Sequence, residues 1–395
     1  MKYILLVPDG AADEPLADLD GKTPLEVART PYLDDLARSG LVGSVQVTPP
    51  EMYPGSDAAN MALLGYDPTR YYTGRGPIEA AAIGVPMEPK DVAFRCSLVS
   101  TDGEKLIDYS AGHISTEEAR PLIELANQKL GTRAISLFPG VSYRHILLWH
   151  DGPTEVKTYP PHENMGKPLA EIWPQGDGDA RLRAFIEDSI NLLDDLPFNK
   201  QRRAEGKPPA NMLWPWSPGR SPQLPSFFQR RGMTGAVISA VDVVRGLGKL
   251  TGLEIVNVPG ATGYFDTNYE GKGRYAVNAL QRHDFVWVHV EAPDEAGHAG
   301  SIDEKIRAIE NFDKLVVGTI LDGMKKRDDF RLLCVPDHKT PISTRGHAVG
   351  PVPFLLFDSR KGLSGGHLPF DERAVEEAKV RIPEGYRLID DLFAG

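Results

Sequence analysis

Phe285-Val286-Trp287-Val288-His289-Val290-Glu291-Ala292-Pro293-Asp294-Glu295-Ala296-Gly297-His298 passes from a largely apolar run, with His289 within it, through Glu291-Ala292 into Pro-Asp, with a histidine four residues further on. A short apolar run of this kind reads as a buried strand. Proline then ends ladder pairing and leaves the aspartate just past the carboxyl end of the strand. The pattern occurs twice more, in Leu5-Leu6-Val7-Pro8-Asp9-Gly10 and in Leu332-Leu333-Cys334-Val335-Pro336-Asp337-His338. Between the second and third copies, Ser301-Ile302-Asp303-Glu304 has the form of a capping box. Ile302, Ile306, Ile309, Val316 and Ile320 follow it at helical spacing. Strand, helix and strand of these lengths make a βαβ unit, so the fold class is α/β with a mostly parallel sheet flanked by helices. In such a sheet the carboxyl ends of the strands line the ligand crevice.

Working outward, Thr30-Pro31-Tyr32-Leu33-Asp34-Asp35-Leu36-Ala37-Arg38-Ser39-Gly40 carries a cap, a first-turn proline, first-turn acids and a terminal glycine, and predicts a helix. The middle of the chain differs. Leu98 to Gly103 reads as a hairpin, His145 to Trp149 as a strand, and the prolines from Pro208 to Pro225 as linkers. The expected organisation is a catalytic α/β domain over 1–85 and 205–395, interrupted by a smaller inserted α+β domain over 90–200.

Composition excludes several functions. The chain has 395 residues, with 44 Lys and Arg against 55 Asp and Glu, a net charge of −11. Nucleic-acid binding needs a basic face, so no nucleic-acid partner is expected. The longest apolar runs, Tyr3–Val7 and Leu253–Val258, fall well short of the roughly 20 residues of a membrane span. No signal peptide is expected from a five-residue apolar stretch closed by Pro8-Asp9. Two cysteines, Cys96 and Cys334, are too few for a disulfide framework, and Cys334 reads as core. A cytoplasmic enzyme is the expectation, and the oligomeric state is open.

Asp9, Asp294 and Asp337 at one sheet edge would repel one another and raise each other's pKa, unless a divalent cation compensates them. Histidines stand close by. Asp294 and His298 share a helix face, and His338 is followed nine residues later by His347. Carboxylate oxygen with imidazole suits manganese, zinc or magnesium at a two-metal site. An aspartate after a strand is ordinarily a turn residue; three copies, two with histidines, favour ligands. In Tyr53-Pro54-Gly55-Ser56-Asp57-Ala58-Ala59-Asn60, Ser56 opens a predicted helix, where the macrodipole favours an alkoxide or a phosphate. The ordinary reading of Ser56 is a helix N-cap; beside metals, it reads as a nucleophile. His162, His283, His289 and His367 read as structural.

These motifs, with Gly74-Arg75-Gly76-Pro77-Ile78-Glu79-Ala80, Ser110-Ala111-Gly112-His113-Ile114-Ser115 and Pro259 to Tyr269, resemble the alkaline phosphatase superfamily. Within it they resemble the archaeal-type cofactor-independent phosphoglycerate mutases, from residue 3 to about 357. The resemblance implies an alkaline-phosphatase-like core and two divalent ions per chain, manganese foremost and zinc, magnesium or cobalt as alternatives. Asp294, His298 and His347 would hold one ion, and Asp9, Ser56, Asp337 and His338 the other. It also implies no 2,3-bisphosphoglycerate, a small phosphorylated substrate, a phosphoserine formed on Ser56, and an inserted domain that closes over the crevice. Cations for the substrate would come from Arg75, His113, Arg144, His145, Arg220 and Lys272.

One segment departs from the family pattern. Where archaeal-type mutases carry a phosphate-binding arginine, Asn211-Met212-Leu213-Trp214-Pro215-Trp216-Ser217-Pro218-Gly219-Arg220 places Trp216, with Arg220 four residues on. A tryptophan there resembles the branch proposed to act as homoserine kinase. A phosphotransferase on a small hydroxy or amino acid, a metal-dependent phosphatase and a non-catalytic binding protein are the alternatives.

Overall fold

The computed structural model describes residues 1–325, 329–361 and 368–394, so His367 lies outside the described residues. The chain divides into two compact units, one made of 1–72 with 224 onwards and the other Thr73–Gln223.

The first unit is built on an eight-stranded sheet. Its order is Glu254–Ile255, Gly235–Ile238, Phe285–Val290, Lys2–Pro8, Phe330–Cys334, Val352–Asp358, Leu41–Val45 and Arg381–Ile382. Only Val352–Asp358 runs antiparallel to its neighbours. The three strands that end in Pro-Asp motifs are therefore adjacent and parallel, with Lys2–Pro8 in the middle. Leu6 pairs with Val288 on one side and Cys334 on the other, which holds the three carboxyl ends level.

Helices cover the sheet as the periodicity predicts. Ile4, Leu6, Val288 and Cys334 pack with Leu33 and Leu36 of helix Pro31–Ser39 and with Phe312, Val316 and Ile320. Local details differ from expectation. Thr30 makes no cap bond; its hydroxyl instead donates to Asp34. Ser301 accepts from the Glu304 N–H at 3.4 Å, but the reciprocal half of the capping box is missing. The helix that begins at Ile302 widens into a π turn over Phe312–Val317 before resuming at Gly318.

The second unit is α+β. Strand Val92–Thr101 pairs antiparallel with Leu106–Asp108, Arg144–Trp149 and Met212–Gly219, and Ile135–Phe138 adds to Arg144–Trp149. Helices Thr116–Leu130 and Asp179–Leu193 pack on one face through Leu122, Ile123, Leu182 and Ile186. This unit extends beyond 90–200 at both ends. Ala80 of helix Arg75–Ile83 packs on Ala93, Ile146 and Leu148, and Met212–Gly219 completes the sheet. That strand falls where linkers were expected. Among the described residues it pairs only with Val92–Thr101; the Leu213 and Ser217 N–H groups point away from that partner to Ser189 and Thr158, so the missing N–H of Pro215 between them costs no ladder bond.

Candidate metal centre

Beyond the carboxyl ends of the three central strands, Asp9, Asp294, Asp337 and His338 are all buried. Asp9 follows Pro8 directly. Asp294 lies one turn into helix Ala292–Ala299, which presents His298 on the same face. His298 Nε2 is 3.1 Å from Asp294 Oδ2, and His347 Nε2 is 3.4 Å from Asp294 Oδ1. His298 Nδ1 donates to the Arg345 carbonyl at 2.9 Å. That bond takes the Nδ1 proton and leaves Nε2 facing Asp294; burial lowers the His298 pKa, but the Asp294 carboxylate outweighs it and raises the pKa to about 9.

Ser56 is the first residue of helix Ser56–Leu63, and Gly55 occupies the cap position. The Ser56 hydroxyl is thus not tied up as a cap. It lies 3.2 Å from His338 Nε2, a ring nitrogen that is also 3.4 Å from Asp9 Oδ1. Asn60, one turn along the same helix, donates to Asp337 Oδ2 at 2.7 Å and to the Ser56 carbonyl at 2.9 Å. The Gly10 N–H donates to Asp337 Oδ1 at 3.1 Å, and the Thr340 hydroxyl donates to Asp294 Oδ1 at 2.5 Å.

The electrostatics follow from burial and crowding. Burial, reinforced by Asp337, Glu291 and Asp294, pushes the Asp9 carboxyl well above its ordinary range. Burial also pushes Asp294 upward, but bonds from His298 and His347 outweigh it and hold the group well below. His338 is pushed down to about 4, chiefly by burial, so its imidazole is neutral.

The donor set fits divalent cations. Both Asp9 oxygens, His289 Nε2, His347 Nδ1 and Glu291 Oε2 are buried without a hydrogen-bond partner. Bare buried groups of this kind are costly unless something coordinates them. Three groups have ligand atoms within 4.8 Å of one another: Asp294 with His298 and His347, Asp9 with His289 and Asp337, and Asp9 with Asp294 and His338.

His289, read as structural from the sequence, stands inside this cluster. Its Nε2 is 3.1 Å from Asp9 Oδ2, close but not hydrogen-bonded. Within an apolar strand it looks like core, and only the pairing of Val7 with His289 brings it beside Asp9. Asn60, Thr340 and Glu291 were missed as well; spacing of four from Ser56 was the available signal for Asn60.

The expected substrate cations divide between the two units. Lys272, on helix Tyr269–Ala279, is buried and donates to the His289 carbonyl at 3.0 Å. Burial brings its ammonium down to about 8. The remaining five lie in the second unit. Arg75 Nε is 2.6 Å from Glu79 Oε1, an oxygen shared with Arg95 Nη1 at 3.2 Å. The Arg144 guanidinium lies over the Tyr143 ring at 5.1 Å. His113 is exposed at a left-handed turn position (φ 52°). His145 is buried, with its Nδ1 accepting from the Gly140 N–H. Burial drives its pKa to about 3, so it offers an anion no positive charge near neutrality. Arg220 is exposed just past the edge strand. Trp216 donates from Nε1 to Ser97 Oγ at 3.0 Å, with the Arg95 guanidinium 4.8 Å over its ring.

A parallel α/β sheet with buried carboxylates, imidazoles and a serine at its carboxyl edge defines an enzyme of the metal-dependent class. Residues 37–199 match a family model described as 2,3-bisphosphoglycerate-independent phosphoglycerate mutase. A Geobacter sulfurreducens protein named probable 2,3-bisphosphoglycerate-independent phosphoglycerate mutase is 47% identical over 99% of both chains. The Methanothermobacter thermautotrophicus protein named 2,3-bisphosphoglycerate-independent phosphoglycerate mutase 2 is 47% identical over 99% of this chain and 96% of its own. Among solved structures, the cofactor-independent phosphoglycerate mutase of Thermoplasma acidophilum is 30% identical with a TM-score of 0.65, covering 100% of this chain and 99% of its own. The PH0037 protein of Pyrococcus horikoshii is 28% identical with a TM-score of 0.81, covering 100% and 97%. The chain belongs to the 2,3-bisphosphoglycerate-independent phosphoglycerate mutase family. Among the described residues, no helix is long and apolar enough to cross a membrane.

Proposed function

We propose that the chain interconverts 3-phosphoglycerate and 2-phosphoglycerate through a phosphoserine on Ser56. The observation that carries this reading is the Ser56 hydroxyl, uncapped at a helix start and 3.2 Å from a neutral His338. Asp294, His298 and His347 would hold one divalent ion, and Asp9, Ser56, Asp337 and His338 a second, manganese being our assignment for both. When bound, such ions neutralise phosphoryl charge and lower the serine hydroxyl pKa. Ser56 attacks phosphorus, the bond from phosphorus to the 3-oxygen breaks, and glycerate takes up the proton. The 2-hydroxyl of glycerate then attacks the phosphoserine, and Ser56 recovers its hydroxyl. The helix N-terminus favours negative charge on the serine oxygen throughout. In the second unit, we assign the substrate's anionic groups to Arg75, Arg144 and Arg220, with His113 as a polar contact. Buried free Cys96 and Cys334 accord with a cytoplasmic setting.

The test is to strip the protein of metal, reload it with manganese, and supply 3-phosphoglycerate without ATP or bisphosphoglycerate. Formation of 2-phosphoglycerate, reduced at least about 10³-fold in Ser56→Ala, supports the proposal. Phosphate release alone would make the chain a phosphatase. Trp216 favours a second reading, a phosphotransferase on a small hydroxy or amino acid. Inertness toward phosphoglycerate, with phosphorylation of homoserine once ATP is added as phosphoryl donor, would establish that reading.

A further inference from the structure

Lys305 lies one turn into the helix that begins at Ile302, and its side chain is 0% exposed. Its ammonium donates to Asp13 Oδ2 at 2.7 Å, to the Thr340 carbonyl at 2.8 Å and to the Ala12 carbonyl at 3.2 Å. An ammonium has three hydrogens, and each is matched to an acceptor. Asp13 is equally enclosed and also accepts from the backbone N–H groups of Glu14 and Ile342.

The position of those acceptors is the telling feature. Ala12 lies three residues after Asp9, and Thr340 lies three residues after Asp337. A single ammonium thus joins the two loops that carry the carboxylates at equal distances along each. A backbone bond from the Thr340 N–H to the Ala12 carbonyl at 3.1 Å lies alongside. Through its hydroxyl, Thr340 then reaches Asp294 Oδ1 at 2.5 Å and stands 3.2 Å from His338 Nδ1. Asp9 and Asp337 thus each lie three residues from a carbonyl that Lys305 holds, and Asp294 is bonded to Thr340 itself.

A buried ion pair is a poor device for stability alone, because apolar residues of similar volume often serve as well or better. We infer that Lys305, with Asp13, is a positioning residue that fixes the separation of the Asp9 and Asp337 loops and thereby the spacing of the two metal subsites. The inference rests on the metal-centre reading above. It assigns to Lys305 no contact with substrate or metal.

The experiment measures manganese binding to the full chain by calorimetric titration, and the dimanganese interaction by electron paramagnetic resonance. The variants are Lys305→Met combined with Asp13→Leu, which removes both charges together, and Asp13→Asn, which keeps size and shape. Manganese affinity is expected to fall about tenfold or more in the double variant. The spin-coupled signal should weaken there, while the thermal midpoint stays level or rises. Asp13→Asn should move affinity in the same direction, and it decides the matter if the double variant fails to fold. Wild-type affinity and coupling in a folded variant would overturn the inference while leaving the metal centre standing. A wild-type chain that binds no manganese would overturn the metal-centre reading itself, and this inference with it.

Discussion

Asn60 Nδ2 donates to Asp337 Oδ2 at 2.7 Å while also holding the Ser56 carbonyl. The helix that presents Ser56 is therefore tied by one amide to a carboxylate from the far part of the chain. Asn60 is fully buried. Replacing it by alanine removes the donor to Asp337 Oδ2, while Oδ1 keeps the Gly10 and His338 N–H groups, and manganese affinity should fall about 10- to 100-fold. Isothermal titration of the purified variant checks this, with circular dichroism as the control for folding.

Gly10 has a positive φ of 59°, and a Cβ there would sit 2.6 Å from Asp294 Oδ1 and 2.8 Å from Asp294 Cα. Strain and overlap point the same way. Gly10→Ala should destabilise the fold by about 1–3 kcal/mol and displace Asp294. Denaturant unfolding reads the first effect. A loss of manganese affinity larger than the loss of stability reads the second.

Glu372 accepts from the Thr23 hydroxyl at 2.5 Å and from the Asp13 N–H at 2.9 Å. Burial raises its pKa from 4.5 to about 7, against the opposing pull of those two bonds. Between these values the folded chain keeps the proton that the unfolded chain releases, so this group's contribution to stability falls as pH rises through the window. Glu372→Gln imitates the protonated form. The variant should match the parent near pH 4.5 and become the more stable of the two by pH 8, as thermal midpoints across that range will report.

Much of the site was legible because strand ends announce themselves. Pro-Asp after an apolar run needs only local chemistry to be read, and sheet order then placed Asp9, Asp294 and Asp337 side by side. His289 and Lys305 were illegible for different reasons. A histidine within Phe285–Val290 has the surroundings of a core residue. Helical spacing puts Lys305 on the apolar face with Ile302, Ile306 and Ile309, where a lysine has no evident reason to be, and nothing local points to the Asp13 carboxylate that it meets there. In both cases the partner lies more than 275 residues away, and no local pattern encodes it. The edge strand Met212–Gly219 was hidden by its prolines, which signal linkers unless the pairing on only one side is known.

The central strand Lys2–Pro8 is hydrogen-bonded on both sides to strands that begin at Phe285 and Phe330. On a ribosome this strand waits for about 280 further residues before its first partner is made and about 325 before its second, roughly 15–65 s at ordinary elongation rates. The contiguous unit from Thr73 to Gln223 is complete long before then. Birth order and assembly order are therefore reversed for the reactive half. Asp9, made before the serine and the other candidate ligands, is among the last to find its neighbours, and a truncated chain carries the serine without the ligands that would arm it.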